Sequence, residues 1–259
     1  MGNTVVIKLG GSLLSKDEKN IFDFSYLAEL KKIIELQEFL DKKFFIAVGG
    51  GYTMRKYRDL AKDAGADNDL DLHWIGTTVN VLHAYILKAF FGQIADDDVV
   101  KYEDYYREEN THSINSKLKL GGGSSVINYD IANQFEIANK IKVGGGGRPG
   151  HSGDVDAILA AKKLGSKIVI SLKNVDGVYT ADPKNNPEAT MLETLNWQQY
   201  LDIIGNKDTH EPGGNYPIDP IASKMAIEAG ITFVIIGGDN LENFKKYMLG
   251  KEFKGSVVS

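Results

Sequence analysis

Four glycines in a row, Gly144 to Gly147, end the apolar segment Ile141-Lys142-Val143 and open a turn. That turn runs through Arg148, Pro149, Gly150, His151, Ser152 and Gly153 to Asp154, where a new apolar run begins. Side-chain-free residues at a strand end let backbone approach a ligand closely, and their successive N–H groups can face an anion. The helix that follows offers unpaired N–H groups and the positive end of its dipole to the same anion. The chain must therefore fold so that a strand, a bare loop and a helix start meet at one point. That is the geometry of an α/β sheet crossover.

The rest of the chain fits that frame. Thr4–Leu9, Phe44–Val48, Lys167–Leu172 and Ile231–Ile236 are short β-branched or aromatic runs that read as buried strands. Between them, apolar residues recur at helical spacing over Phe24–Leu40, Thr53–Ala64, Leu72–Phe91, Asp154–Leu164, Asn196–Ile204, Pro220–Ala229 and Leu241–Leu249. Gly255–Val258 reads as an edge strand. Strands alternating with helices predict a three-layer αβα sandwich on a mainly parallel sheet. Its 259 residues suit one such domain. Residues 92–141 carry weaker periodicity and read as loop-rich. Their run Gly121-Gly122-Gly123-Ser124-Ser125 reads as a flexible flap or a linker, with the linker favoured. No internal repeat is visible.

Composition narrows the function. A net charge of −5 gives no basic field for nucleic acid or anionic lipid, so neither is expected as a partner. With no cysteine, disulfides, thiolate catalysis and Cys-based metal sites are excluded. No secretory leader or membrane-spanning run is evident, so a soluble cytoplasmic protein is expected.

In an open α/β sheet, ligands bind beyond the carboxyl ends of the strands. Four such ends carry unusual turns here. In Lys8-Leu9-Gly10-Gly11-Ser12, Lys8 either sets a positive charge beside a transferring phosphate or is a surface lysine at an ordinary turn. In Gly49-Gly50-Gly51, the following Arg55 either reaches back as a bidentate phosphate donor or is solvated. In the glycine-rich third turn, Asp154 either orients a lysine or Mg²⁺, or caps the helix. His151 there either donates to phosphate or is a hydrogen-bonded turn residue. In Lys173–Pro183, Tyr179 offers a flat face for a base and Asp182 an acceptor for ribose or base, unless the segment is a simple hairpin. The chain has no Walker A loop, no Gly-x-Ser-x-Gly elbow and no His-Glu-x-x-His. The combination points to one polyphosphate surrounded by successive strand ends.

These residues resemble the amino-acid-kinase superfamily, and within it the archaeal type of uridylate (UMP) kinase. The resemblance rests on Lys8–Ser12, on Gly49–Gly51 with Arg55, and on Pro149-Gly150-His151-Ser152 with Asp154. Asn174–Pro183 and Asp219-Pro220-Ile221-Ala222-Ser223-Lys224 add two more specific matches. It implies phosphoryl transfer from ATP to UMP with Mg²⁺, in a homo-oligomer, either hexamer or dimer. It implies that Gly11, Ser12, Gly51 and Arg55 hold ATP phosphates and that Lys173, Asn174, Tyr179 and Asp182 hold its base and ribose. Gly50, His73, Arg148, Pro149, Gly150, His151, Ser152, Gly153 and Asp154 would hold UMP. Lys8 would neutralise the transferring group, with Asp154 orienting it, and no residue would serve as a dedicated metal ligand. Residues 1–150 would form the acceptor half and 151–259 the ATP half.

Three positions depart from the family pattern, all on the acceptor side. An aspartate expected just before a helix at Trp74 aligns with His73, with Asp71 two residues away. An expected arginine is Val81, and a threonine is Gly153. Loosened acceptor discrimination follows. Rival readings are kinases of the same fold acting on acetylglutamate, aspartate, carbamate or isopentenyl phosphate. The last carry a histidine where this chain has Val48. A non-catalytic nucleotide or oxyanion binder, such as the related molybdenum storage proteins, is a rival of another class.

Overall fold

A computed structural model of the chain describes residues 3–106, 116–119, 126–129, 134–183, 185–205 and 216–259. In chain order, the first elements are β1 (Thr4–Leu9), α1 (Gly11–Leu14), α2 (Phe24–Ile34), β2 (Lys43–Val48), α3 (Gly51–Asp63) and α4 (Asp69–Phe91). Next come β3 (Ala95–Val100), α5 (Tyr102–Tyr105), β4 (Ser116–Lys119), β5 (Val126–Tyr129) and β6 (Ile141–Gly144). The remainder is α6 (Gly153–Lys163), β7 (Ile168–Lys173), β8 (Val178–Tyr179), β9 (Met191–Leu192), β10 (Thr194–Leu195), α7 (Trp197–Ile204), α8 (Pro220–Ala229), β11 (Thr232–Gly237), α9 (Leu241–Met248) and β12 (Ser256–Val258).

Eight strands form one sheet in the order β10-β12-β11-β7-β1-β2-β6-β3. The six from β11 to β3 run parallel. β12 is antiparallel to β11 and parallel to β10. Strand alternation sends side chains to two separate cores. Ile7, Leu9, Phe44, Ile46 and Leu172 pack on one face with α2, α4 and α9. Val6, Phe45, Ala47, Val169 and Phe233 pack on the other with α6, α7 and α8. This is the three-layer αβα sandwich expected from the sequence.

Four expectations are corrected. First, the described part of residues 92–141 is not mainly loop. Asp96-Asp97-Asp98 lies inside β3 at the sheet edge, because Lys142 of β6 is buried beside it, 3.6 Å from Asp96 and 2.5 Å from Asp98. Asp96 also accepts the N–H of Ala138 and of Asn139. β4 and β5 pair as an antiparallel hairpin; the Gly121–Ser125 run lies outside the described residues. Second, α2 ends at Ile34 rather than Leu40. Third, β12 is not an edge strand; the two-residue β10 covers it. Fourth, α4 starts at Asp69, a turn earlier than the spacing suggested. The side chain of Asn68 accepts the N–H of Leu70, and Asp69 and Asp71 favour the positive helix end. His73 therefore lies within the helix, half-buried, and not ahead of it.

Candidate active site

The sheet register fixes the site. Leu9 pairs with Val48 and with Leu172, Ala47 pairs with Gly144, and Lys173 pairs with Gly237. The carboxyl ends of β1, β2, β6, β7 and β11 are thus level. The loops after them share one rim, as expected for a parallel sheet.

The first two loops are fused through their backbones. An added Cβ at Gly11 would lie 2.2 Å from Gly51 N, and Gly51 has φ +55. Only glycine permits that approach and that conformation. Gly10 N–H donates to Leu172 O at 2.9 Å and Gly49 N–H to Leu9 O at 3.1 Å. The buried Ser15, just past α1, accepts the N–H of Thr53 at 2.9 Å, and the two hydroxyls sit 2.8 Å apart. α1 and α3 thereby begin side by side. Arg55 is exposed one turn into α3, and Arg58 lies half-buried a further turn on. Behind the second loop, buried His83 of α4 places Nδ1 3.0 Å from the Gly49 carbonyl. Burial lowers its pKa and so favours the neutral ring. Neither Arg58 nor His83 was singled out from the sequence, where both look like ordinary helix residues.

The third loop packs on α4 and folds back on α6. Gly145 and Gly146 lie against the carbonyls of Asn80 and Thr77. Gly147 N–H donates to Asp156 Oδ2 at 3.1 Å. Asp156 is buried, its Oδ1 has no hydrogen-bond partner, and burial pushes its pKa up to about 7. Sequence reading missed Asp156; its only signal is a second acid two residues after Asp154. The helix cap is Ser152, whose Oγ accepts the N–H of Asp154. Asp154 is thereby free of the capping role. His151 Nδ1 is 2.8 Å from Tyr106 OH, so it is a hydrogen-bonded turn residue on that side. Tyr106, Tyr102 and Trp74 continue from it as a ladder of rings with centroids 5.5–5.6 Å apart. Arg148 is exposed beside them.

Asp154 is the centre of the charge arrangement. It is buried at the start of α6, with Lys8 Nζ 3.5 Å from Oδ1 and Lys173 Nζ 3.0 Å from Oδ2. The N–H of Asp219 also donates to Oδ2 at 3.1 Å. Burial alone would raise the carboxyl's pKa, but Lys173 and then Lys8 outweigh it and hold it near 2. Asp154 is therefore an anion between two cations. Lys173, grouped above with base and ribose, has its ammonium here, on the Lys8 side of the rim. Asn174 and Asp182 are exposed and Tyr179 half-buried in the fourth loop, where β8 and β9 form a short hairpin. Among the described residues, no group of three or more His, Asp or Glu side chains could hold a metal ion.

A doubly wound sheet whose level strand ends carry glycine loops, helix starts and a shared Lys-Asp-Lys cluster defines a phosphate-handling α/β protein. The family model of the Amino acid kinase family matches residues 3–237, and the chain belongs to that family. A uridylate kinase of Pyrococcus abyssi is 33% identical over 257 residues, 98% of each chain. One from Methanocorpusculum labreanum is 29% identical over 98% of this chain and 94% of its own. Among solved structures, a uridylate kinase from Archaeoglobus fulgidus superposes with TM-score 0.73 at 28% identity, over 98% of this chain and 99% of the other. A UMP kinase from Bacillus anthracis shares the fold, with TM-score 0.71 at 22% identity.

Proposed function

We propose that this chain is a nucleoside monophosphate kinase that transfers the γ-phosphoryl group of ATP to UMP, giving ADP and UDP. The observation that carries the reading is the Lys8–Asp154 pair at a rim where four loops converge. The names of the full-length relatives supply the acceptor. Phosphoryl transfer needs positioning and charge neutralisation, and a phosphate acceptor is already nucleophilic at neutral pH. No general base is required.

In this reading Gly11, Ser12, Gly51 and Arg55 bind the ATP phosphates, and Asn174, Tyr179 and Asp182 its ribose and base. Gly50, His73 and Arg148–Asp154 receive UMP. Residues 1–150 serve mainly the acceptor and 151–259 mainly ATP. Lys8 faces the charge that develops on the transferring group. ATP arrives as its Mg²⁺ complex. Asp154 is already committed to two lysines, so the donor set fits a metal carried by phosphate oxygens and water. The reading implies a cytoplasmic enzyme, where both nucleotides are available, working as a homo-oligomer.

The test is ADP release with UMP, CMP, AMP, GMP, isopentenyl phosphate, acetylglutamate and aspartate. UMP should be best, with a spread narrowed by His73, and His73→Asp should sharpen the preference for UMP. Losing a charge-assisted contact costs roughly 1.5–3 kcal/mol, or ten- to hundred-fold in preference. Acetylglutamate or aspartate outperforming every nucleotide would overturn the acceptor. ATP binding without turnover of any acceptor would make the chain a binder.

A further inference from the structure

Lys173 has no role in the reaction as derived so far, and its place is unusual. It ends β7, level with Lys8's strand, and its side chain turns to Asp154 at the end of the third loop. Asp154 is shared unequally. Its Oδ2 takes the closer cation, Lys173, together with the Asp219 N–H. Its Oδ1 is left with Lys8 at 3.5 Å, beyond hydrogen-bond distance. With one carboxylate and one lysine, the pair would close to a tight, charge-assisted contact. Such a contact would have to break each time Lys8 turned to a phosphate.

We propose that Lys173 is a positioning residue that binds Asp154 Oδ2 and so keeps Lys8 only loosely paired, free to turn to the transferring phosphoryl group. This rests on the phosphotransferase reading above, in which Lys8 serves that group. The groups that face Lys173 are Asp154 from α6, Lys8 from β1, Asp219 ahead of α8 and the carbonyl of Tyr216. Asp219 turns its Oδ1 to the N–H groups of Ile221 and Ala222 and caps α8. Burial lowers the Lys173 pKa to about 8, against the pull of Asp154. Above that pH Lys173 is neutral and releases Asp154 to Lys8, so turnover should fall.

The experiment measures kcat and both KM values from pH 6 to 10 for wild type, Lys173→Met, Lys173→Arg, Lys8→Ala and the Lys8→Ala/Lys173→Met double variant. Lys173→Met should lose about ten-fold or more in kcat with KM for ATP and UMP nearly unchanged. It should also lose the alkaline fall near pH 8. Lys173→Arg should recover most of the rate and move the fall to higher pH, because arginine stays charged. In the Lys8→Ala background, Lys173→Met should add almost nothing, the mark of two residues acting as one unit. A raised KM for ATP at unchanged kcat would return Lys173 to the nucleotide and overturn the proposal, as would full additivity in the double variant. NMR titration of ¹³C-labelled lysines reads the arrangement without turnover. One resonance should titrate near pH 8, vanish in Lys173→Met and move to lower pH in Asp154→Asn. If the wild type phosphorylates nothing, the phosphotransferase reading fails. In that case an unmoved resonance in Asp154→Asn overturns the Lys173–Asp154 coupling, and a moved one supports it.

Discussion

Asp156 is the residue whose chemistry departs furthest from its sequence context. Two residues after Asp154, it faces the opposite electrostatic situation: among the described residues no cation is bonded to it, and the backbone N–H of Gly147 donates to it. Its folded pKa of about 7 lies above the ordinary 3.8. The folded state therefore holds a proton that the unfolded state releases, and stability falls as pH rises from about 4 through 7. Asp156→Asn keeps an acceptor for Gly147 and removes the charge. It should be more stable than wild type at pH 8 by an amount on the order of a few kcal/mol, and nearly equal to it at pH 4. Urea unfolding at both pH values checks this; equal stabilities at pH 8 would mean that the carboxylate is solvated. Nothing in the run Gly153-Asp154-Val155-Asp156 distinguishes the two acids, because the difference is made by Lys8 and Lys173 arriving from two other strands. Lys8 and Asp154 were legible as candidates because they stand at strand and helix ends. Lys173 was legible as a site residue but not on its side of the rim, since a strand's last side chain can face either neighbour.

At the level of elements, the buried strands read from β-branched and aromatic runs, and the helix Pro220–Ala229, were legible almost to the residue. Thr4–Leu9 and Pro220–Ala229 have the bounds their patterns give. The glycine loops were visible as glycine loops, but their mutual contact was not. Gly11 and Gly51 follow different strands, and the pairing of β1 with β2 brings them together. Their closeness makes a prediction. A Cβ at Gly11 would press on the backbone of Gly49 and Gly51, which cannot rotate away as a side chain would. Gly11→Ala should cost about 1–3 kcal/mol of stability and weaken ATP binding. Gly153→Ala, whose Cβ would meet only Lys8 Cε at an ordinary 3.6 Å, should cost far less stability. Thermal melts and calorimetric ATP titrations separate the two. What the sequence hid in this region was β3. Three consecutive aspartates argue against a strand by propensity, and the buried Lys142 of the neighbouring strand, with the N–H groups of Ala138 and Asn139, makes that run tolerable.

At the scale of the whole molecule, α4 leaves Leu70, Trp74, Leu82 and Tyr85 exposed, and α3 adds Tyr57 and Leu60. On α4 their spacings of four, eight and three residues keep them on one side of the helix, so they form one stripe. A stripe of that kind suits self-association. Leu82→Glu should shift the protein toward smaller species in sedimentation velocity while leaving the circular dichroism spectrum intact; an unchanged sedimentation coefficient would place any interface elsewhere. Among the described residues, no helix is long and apolar enough to cross a membrane. The position of β1 has a consequence for how the chain is made. It precedes every other strand of this sheet in the chain, yet it lies inside the sheet, with β2 on one side and β7 on the other. β2 emerges soon after it, but the second edge has no native partner until Ile168–Lys173 leaves the ribosome. Until then, an apolar strand carries a row of open backbone donors and acceptors, which is a template for wrong pairings. Closing that edge also joins the Lys8 strand to the Lys173 strand. The step that ends the nascent chain's exposure to misassembly is the same one that brings its two site lysines together.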